Sequence, residues 1–388
     1  MSHAFPWMAD DAVKRIMTAL GAPAVDVRFV GGCVRDALAG RAIGDIDIAT
    51  PERPEAVQKR LENAGVKTIP TGLQHGTVTG IVDGRTFEIT TLRRDTACDG
   101  RHAAVEFTAD WKEDASRRDF TINAMSLTAA GTLHDYFGGE KDLKAGVVRF
   151  VGAASDRIQE DYLRVLRLFR FHAVFGRVPI DAETLKACAL HTDGLKVLSA
   201  ERIRQEMAKL LSAPAPVASV AQMRGCGVLQ ALLPEAESGN MLAALLAVEA
   251  AMGLTPQWVR RLAALVRPTI RVRDLTARLK LTNAEADLLA FLMGPQPQLK
   301  PDMRVAAFDL LLFRHGRDLI VERMALTAAR DPKPDPWRAL FERAAAWAHR
   351  PLPISGDDLL AEGVPPGPAV GRALRAAEEF WAESGFQA

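Results

Sequence analysis

Val25–Asp26–Val27–Arg28–Phe29–Val30–Gly31–Gly32–Cys33–Val34–Arg35–Asp36, with Asp45–Ile46–Asp47–Ile48 about a dozen residues after the double glycine, decides how this chain is read. The apolar run Val25 to Val30 reads as a buried strand. Gly31 and Gly32 let the backbone turn sharply and approach a phosphate closely. The following Asp45–Ile46–Asp47–Ile48 alternates polar and apolar, the pattern of a half-buried strand. Alternation places Asp45 and Asp47 on one face, about 6–7 Å apart along the strand. Two hard oxygen ligands so placed suit Mg²⁺, and Mg²⁺ suits a triphosphate.

Each half has a plain reading by itself: a turn, and a solvated strand face. In this order and spacing they resemble a nucleotidyltransferase fold of the polymerase-beta type. A third carboxylate, Glu88, stands in Thr86–Phe87–Glu88–Ile89–Thr90–Thr91, again on an alternating strand. It either completes the metal-binding edge, helps to deprotonate an attacking hydroxyl, or is a surface strand residue. The residues leave these readings open.

The 388 residues suffice for two or more domains, and 48% apolar with 25% charged residues is ordinary for a soluble protein. A formal net charge of +1 gives no argument for a nucleic-acid partner, so any basic surface must be local. Cys33, Cys98, Cys188 and Cys226 are too scattered for a metal or redox pair and read as free thiols. Asp10 and Asp11 precede any long apolar run, which argues against a secretion signal. No stretch is apolar for long enough to span a membrane. A cytoplasmic protein is expected.

Up to about residue 145 the chain reads as mixed α and β, with short strands expected at Val25–Val30, Asp45–Ala49, Thr77–Val82, Thr86–Thr91 and Met125–Thr128. Beyond it, apolar spacing of three and four predicts helices at Arg157–Val174, Ala200–Leu211, Gln257–Val266, Asn283–Leu292 and Val305–Leu312. Proline-rich joints lie at Pro214–Pro216, Pro295–Pro297 and Asp331–Pro336. The fold class expected is α+β: a head with a mixed sheet, residues 1–145, then helical segments 146–212, 213–330 and 331–388. The run Arg93 to Ala104 is charged and glycine-bearing and reads as a mobile surface loop.

Arg117 and Arg118 precede the apolar segment Phe120–Met125. Alone they read as solvated arginines; beside a triphosphate their planar forks suit phosphate oxygens. Asp161 and Arg164 lie three apart on a predicted helix and so share a face, which Arg167 and Arg170 continue, while Leu163, Leu166 and Phe169 face a core. The plain reading is a set of salt bridges on a wet helix. Three arginines beside only Glu160 and Asp161, however, leave a surplus that wants an anion.

Five motifs in order make the chain resemble the class II tRNA nucleotidyltransferases, the CCA-adding and poly(A) polymerase family. They are Gly31–Gly32–x–x–Arg35–Asp36 with Asp45–x–Asp47; Glu88–Ile89–Thr90–Thr91–Leu92–Arg93; Arg117–Arg118–Asp119–Phe120–Thr121–Ile122–Asn123–Ala124; Glu160–Asp161–x–x–Arg164–x–x–Arg167–x–x–Arg170–Phe171; and Glu201–Arg202–Ile203 with Glu206 and Lys209. Together they span roughly residues 25–211. Further on, Leu352–Pro353–Ile354–Ser355–Gly356–Asp357–Asp358–Leu359–Leu360 resembles the family's tail.

The resemblance implies template-independent addition of CCA to the 3′ end of tRNA from CTP and ATP, with release of pyrophosphate. It implies a catalytic head, a base-reading neck, and a body and tail that hold tRNA. Asp45 and Asp47 would bind two Mg²⁺ ions, with Glu88 a further catalytic candidate. Gly31, Gly32, Arg35, Arg118, Asp119 and Asn123 would contact the nucleotide. Asp161 and Arg164 would read the base, supported by Arg167 and Arg170. Cytosine and adenine each offer an amino donor beside a ring-nitrogen acceptor, which a carboxylate and a guanidinium complement; uracil and guanine reverse the polarity. Such a site rejects the wrong partner by as much as ~10⁴-fold. The family places a flexible loop at Arg93 to Ala104 that reshapes the pocket between C and A addition.

Arg260, Arg261, Arg267, Arg271 and Arg273 are the local basic cluster expected to touch tRNA phosphates. No membrane and no obligate protein partner is expected. Three alternatives remain. One is a poly(A) polymerase, which the lack of a long basic extension disfavours. A second is an enzyme of partial, A-adding specificity. From another class comes a non-catalytic RNA-binding relative, which has no need of the intact carboxylates. A phosphohydrolase built on His134–Asp135 is disfavoured because no further His/Asp pairs follow.

Overall fold

A computed structural model describes residues 3–72, 76–98, 103–331 and 335–386. The chain divides into two units, Met1–Glu206 with Ala218–Leu232, and Met207–Val217 with Leu233–Ala388. The first is built on a mixed sheet with strand order β3-β4-β5-β2-β1-β8-β9. Its strands are β1 (Arg28–Val30), β2 (Asp47–Thr50), β3 (Lys67–Gly72), β4 (Thr77–Val82), β5 (Arg85–Thr91), β8 (Ser126–Thr128) and β9 (Leu133–His134). Strands β6 (Arg93–Cys98) and β7 (Ala103–Phe107) form a separate antiparallel pair.

Alternation in the sequence explains the central strands. Phe29, Ile48, Phe87 and Ile89 are buried almost completely, each worth about 1.5–3 kcal/mol against exposure. On this sheet pack α1 (Asp11–Ala19) and α3 (Pro54–Asn63), which place Ile16 and Leu61 over Gly80 of β4. A side chain at Gly80 would meet Ile16 Cδ1 at 2.9 Å, so the glycine permits the close approach of helix and sheet. Strand β2 runs parallel to β5, with Asp47 opposite Glu88; the remaining pairings in the sheet are antiparallel.

The unit also contains α2 (Gly32–Leu38), α4 (Trp111–Ser116), α5 (Gly139–Ala145), α6 (Ala154–Glu160), α7 (Leu163–Phe175) and α8 (Ala182–Leu190). The next helix, α9 (Ala200–Leu211), ends in the second unit. Two expectations need correction here. The segment expected as a loop from Arg93 begins and ends as strands, paired in register Arg93↔Phe107 and Cys98↔Ala103. Its tip, Asp99–Gly100–Arg101–His102, lies outside the described residues. The helix expected over Arg157–Val174 breaks at Asp161, whose backbone is extended (φ −155°, ψ 107°). There the Asp161 carboxylate accepts the Leu163 N–H at 3.0 Å and opens α7, the local competition with helix continuation typical of aspartate.

Among the described residues every named element of the second unit is a helix. At its centre Glu249 accepts from Arg260 Nε at 3.0 Å and Nη2 at 2.7 Å, and from Arg261 Nε at 2.9 Å and Nη2 at 2.6 Å. Arg260 Nη1 also meets Glu322 at 2.9 Å, and Arg261 Nη1 donates to the carbonyls of Leu211 and Ala213. Arg260 and Arg261 are 1% and 4% exposed. The expectation that they touch tRNA phosphates is therefore wrong: their charges are consumed inside the fold. Arg267, Arg271 and Arg273 remain exposed. Near the C-terminal end Ser355 and Asp358 form a reciprocal cap on the helix Gly356–Ala361, and Trp381 and Phe386 pack with Phe313, Trp347 and Leu352.

Candidate active site

Gly31 stands between β1 and α2 with φ 70° and ψ −123°, a conformation essentially closed to residues with a side chain. A Cβ there would lie 3.1 Å from Arg118 Nη1, so the Arg118 guanidinium rests directly over the turn. Asp47 opens β2 beside it, half-buried, and Asp45 is exposed just before the strand. Glu88, exposed on β5, is the register partner of Asp47 on the neighbouring parallel strand. Register partners project to the same face, with strands about 4.8 Å apart. Three carboxylates thus converge.

Their crowding has an electrostatic signature. Burial, then the charges of Glu88 and Asp45, push the Asp47 carboxyl up to about 6, while Arg118 opposes them. A group in this state gains from a cation. Among the described residues no three His, Cys, Asp or Glu side chains are placed to enclose an ion unaided. A hard divalent ion generally takes one or two carboxylates from a protein and the rest of its shell from phosphate and water.

Arg118 is held from behind by Asp114, which also takes Arg117. Arg35 of α2 donates to Asn123 Oδ1 at 2.6 Å, Asn123 Nδ2 donates to Asp119 Oδ1 at 2.9 Å, and Arg167 of α7 donates to Asp119 Oδ2 at 2.7 Å. Burial opposes ionisation of Asp119, but the Arg167 charge, with the Asn123 and Arg167 hydrogen bonds, holds its carboxyl below the ordinary value. Aromatic faces complete the wall: Arg35 lies 5.0 Å from the Phe171 ring centre and 4.7 Å from Phe175, and Arg170 lies 4.1 Å from Phe171.

The base-reading candidates are preorganised by further partners. Asp161 Oδ2 accepts from Arg202 Nη2 at 2.7 Å. Arg164 Nη1 donates to the carbonyl of Arg157 at 3.0 Å and to Glu160, and Nη2 donates to the carbonyl of Arg117 at 3.1 Å. Three of the five guanidinium N–H groups of Arg164 are so engaged, and two of about four acceptor positions of Asp161. Both keep capacity for a base edge. The surplus of cations expected along α7 is met by acids from beyond the motif: Arg164 keeps Glu160, which it shares with Arg157, while Arg167 takes Asp119 and Arg170 takes Glu206 at 2.6 Å.

Asp114, Arg202 and Glu206 act here without having been assigned roles from sequence. For Asp114 a signal was present, since Arg117 and Arg118 follow it at helical spacings of three and four. His134–Asp135 is structural: Asp135 accepts the backbone N–H groups of Phe137, Gly139 and Glu140 at the start of α5.

Residues 27–149 match the poly A polymerase head domain, and residues 178–239 match the probable RNA and SrmB-binding site of polymerase A. A mitochondrial CCA tRNA nucleotidyltransferase 1 from Mus musculus is 36% identical over 93% of this chain and 84% of its own length. The CCA-adding enzyme of Lactobacillus delbrueckii subsp. bulgaricus is 33% identical over 90% of this chain and 88% of its own. Among solved structures, the Bacillus stearothermophilus CCA-adding enzyme in complex with CTP superposes with a TM-score of 0.78 at 29% identity, over 98% of this chain and 94% of that one. The carboxylate trio, the arginine-lined turn and these relatives agree: the chain belongs to the class II CCA-adding tRNA nucleotidyltransferase and poly(A) polymerase family.

Proposed function

We infer that this chain adds C, C and A to the 3′ end of tRNA, consuming CTP and ATP and releasing pyrophosphate. The observation that carries the reading is the convergence of Asp45, Asp47 and Glu88 beside the Gly31 turn and Arg118. Asp45 and Asp47 would hold two Mg²⁺ ions, which when bound supply a clamp for the attacking and leaving oxygens. The terminal ribose 3′-oxygen attacks the α-phosphorus, the bond to pyrophosphate breaks, and Glu88 is assigned to receive the hydroxyl proton. Arg118 and the N–H groups after Gly31 face the triphosphate, where a guanidinium fork matches phosphate oxygens. Arg35, Asn123 and Asp119 hold the ribose end and brace Arg167.

Asp161 accepts a hydrogen bond from the amino group of cytosine or adenine, and Arg164 donates one to the ring nitrogen. Arg167 and Arg170 carry no free charge of their own and stiffen this wall. Arg267, Arg271 and Arg273 are assigned to tRNA phosphates. The division into catalytic head, base-reading neck, body and tail, at 1–145, 146–212, 213–330 and 331–388, is proposed on the same ground. The proposed compartment is the cytoplasm, a reading supported by the free thiols of Cys33, Cys188 and Cys226. The Mus musculus relative is mitochondrial, and no helix among the described residues is long and apolar enough to cross a membrane.

The test is incubation with tRNA lacking its 3′ CCA and supplied with CTP, ATP or both, products being sized to one nucleotide. Two additions with CTP and a third only with both nucleotides are expected. A long A tract from ATP alone would make the chain a poly(A) polymerase. In Asp161→Ala, use of UTP and GTP relative to CTP should rise about 10–100-fold, the loss of one charged hydrogen bond. Unchanged selectivity would move base reading elsewhere.

A further inference from the structure

Asp114 is 3% exposed and reaches neither the base-reading pair nor the metal-holding carboxylates. Burying a lone carboxylate is costly, and a buried ion pair seldom outperforms an apolar replacement on stability alone. Its surroundings show what the charge is kept for. Oδ1 accepts from Arg117 Nε at 2.9 Å and Nη2 at 2.7 Å, and from the backbone N–H of Arg93 at 3.3 Å. Oδ2 accepts from Arg118 Nε at 3.4 Å and Nη2 at 3.2 Å. Burial would raise this carboxyl, but the Arg118 and Arg117 charges hold it below its ordinary value, so it is ionised at neutral pH.

Each tether leads to a different part of the pocket. Arg118 lies over Gly31 and beside Asp47. Arg117 receives Arg164 Nη2 on its carbonyl. Arg93 begins β6, directly after the strand that carries Glu88. One carboxylate therefore anchors the phosphate-facing guanidinium, the support of the base-facing guanidinium, and the root of the β6–β7 pair.

We propose that Asp114 is a positioning residue that sets the separation between the triphosphate end and the base end of the nucleotide pocket. The proposal rests on the assignment of Arg118 to the triphosphate and of Arg164 to the base. Asp114 touches no substrate; it makes the two guanidiniums move as one body. In Asp114→Asn the amide oxygen serves one arginine while the NH₂ group confronts the other, so the two come uncoupled with no change of size.

Steady-state kinetics on the full chain test this. Asp114→Asn should raise KM for CTP and for ATP by the same factor, on the order of 10- to 100-fold, as expected for a displacement near 1 Å. The KM for tRNA should not move, and UTP misincorporation should rise. A purely structural role would lower the melting temperature and leave both nucleotide KM values alone, which overturns the proposal. Arg118→Ala separates this from the reading beneath it. If Arg118→Ala weakens CTP but not CMP, the triphosphate assignment stands; equal weakening of both removes that assignment and the proposal with it. With Arg118→Ala present, adding Asp114→Asn should cost little more in CTP KM, whereas full additivity shows that Asp114 acts by another route. Should Asp114→Asn not fold, Asp114→Glu keeps the charge at a longer reach. It should give a smaller rise in both KM values, and wild-type values in it would refute the coupling.

Discussion

The two units concentrate charge in opposite ways. In the helical unit Glu249, Arg260, Arg261 and Glu322 close on one another in the interior, two acids against two bases. In the sheet unit Asp45, Asp47 and Glu88 crowd together, and the charge that opposes them comes from Arg118, already shared with Asp114. In sequence the two look alike, as short runs of like charge. The difference lies in what distant segments deliver to them. A balanced buried cluster is architecture; convergent carboxylates left short of cations are a place prepared for a ligand.

The largest effect that would sharpen this contrast comes from emptying the second kind of cluster. Asp45→Ala or Asp47→Ala should reduce incorporation of CTP and ATP together by about 10³-fold or more, the several kcal/mol a metal-held phosphoryl site contributes. Binding of tRNA, measured by filter retention, should stay near normal. Loss of one nucleotide's incorporation with retention of the other would show that the carboxylates do not form one site.

Breaking the first kind should act on stability instead. Glu249→Ala strands Arg260 and Arg261 without their shared carboxylate, which costs about 3–5 kcal/mol in buried pairs of this type. Urea unfolding gives the number, and the folded fraction should bind CTP as before. A variant as stable as the parent would mean that solvent or other groups reach the arginines, contrary to their burial.

A smaller effect has a definite sign. The folded-state pKa of Asp47, about 6, lies above the ordinary carboxylate value. Between pH 4 and 6, roughly, the folded state holds a proton that the unfolded state has lost, so stability from this group falls as pH rises through that window. Screening limits the effect to about 1–2 kcal/mol. Calorimetry without divalent ions should therefore find Asp47→Asn more stable than the parent at pH 7 and nearly equal at pH 4. Added Mg²⁺ should raise the melting temperature of the parent at pH 7 and much less that of the variant. An identical Mg²⁺ response in both would place the ion elsewhere.

The smallest concerns the arginines that stayed outside. Arg271→Ala and Arg273→Ala should each lower the slope of log affinity for tRNA against log salt by about 0.9 per lost phosphate contact. An unchanged slope would make them ordinary solvated residues.

Much of the sheet was legible because its signals are local. The strand Thr77–Val82 falls where alternation places it, and β5 begins one residue earlier than expected, at Arg85. The start of β1 was misjudged because the Val27 N–H turns back to the Val25 carbonyl at 2.9 Å, a local turn that delays the strand to Arg28. The helix break at Asp161 was hidden by the helical spacing on both sides of it. Strands β6 and β7 escaped notice because polar, glycine-bearing sequence resembles a loop until a partner strand is supplied. Arg260 and Arg261 were misread for a deeper reason. Their neighbours Val259, Leu262, Ala263 and Leu265 are all buried, and it is Glu249 and Glu322, both distant in the chain, that explain why two charges accompany them. Asp47 and Glu88 stand opposite each other as their alternating strands lead one to expect, whereas Asp45, expected on the same strand as Asp47, lies just before it.

Cys33 lies one residue beyond the double glycine, buried, with its thiol donating to the Val30 carbonyl at 3.3 Å. Burial, with the nearby Asp47 charge as a lesser contribution, pushes that thiol up to about 11. The thiolate is the reactive form, and at neutral pH this thiol stays protonated. The Gly31 turn is thus chemically quiet at its cysteine. Mild oxidants and maleimides should pass Cys33 by.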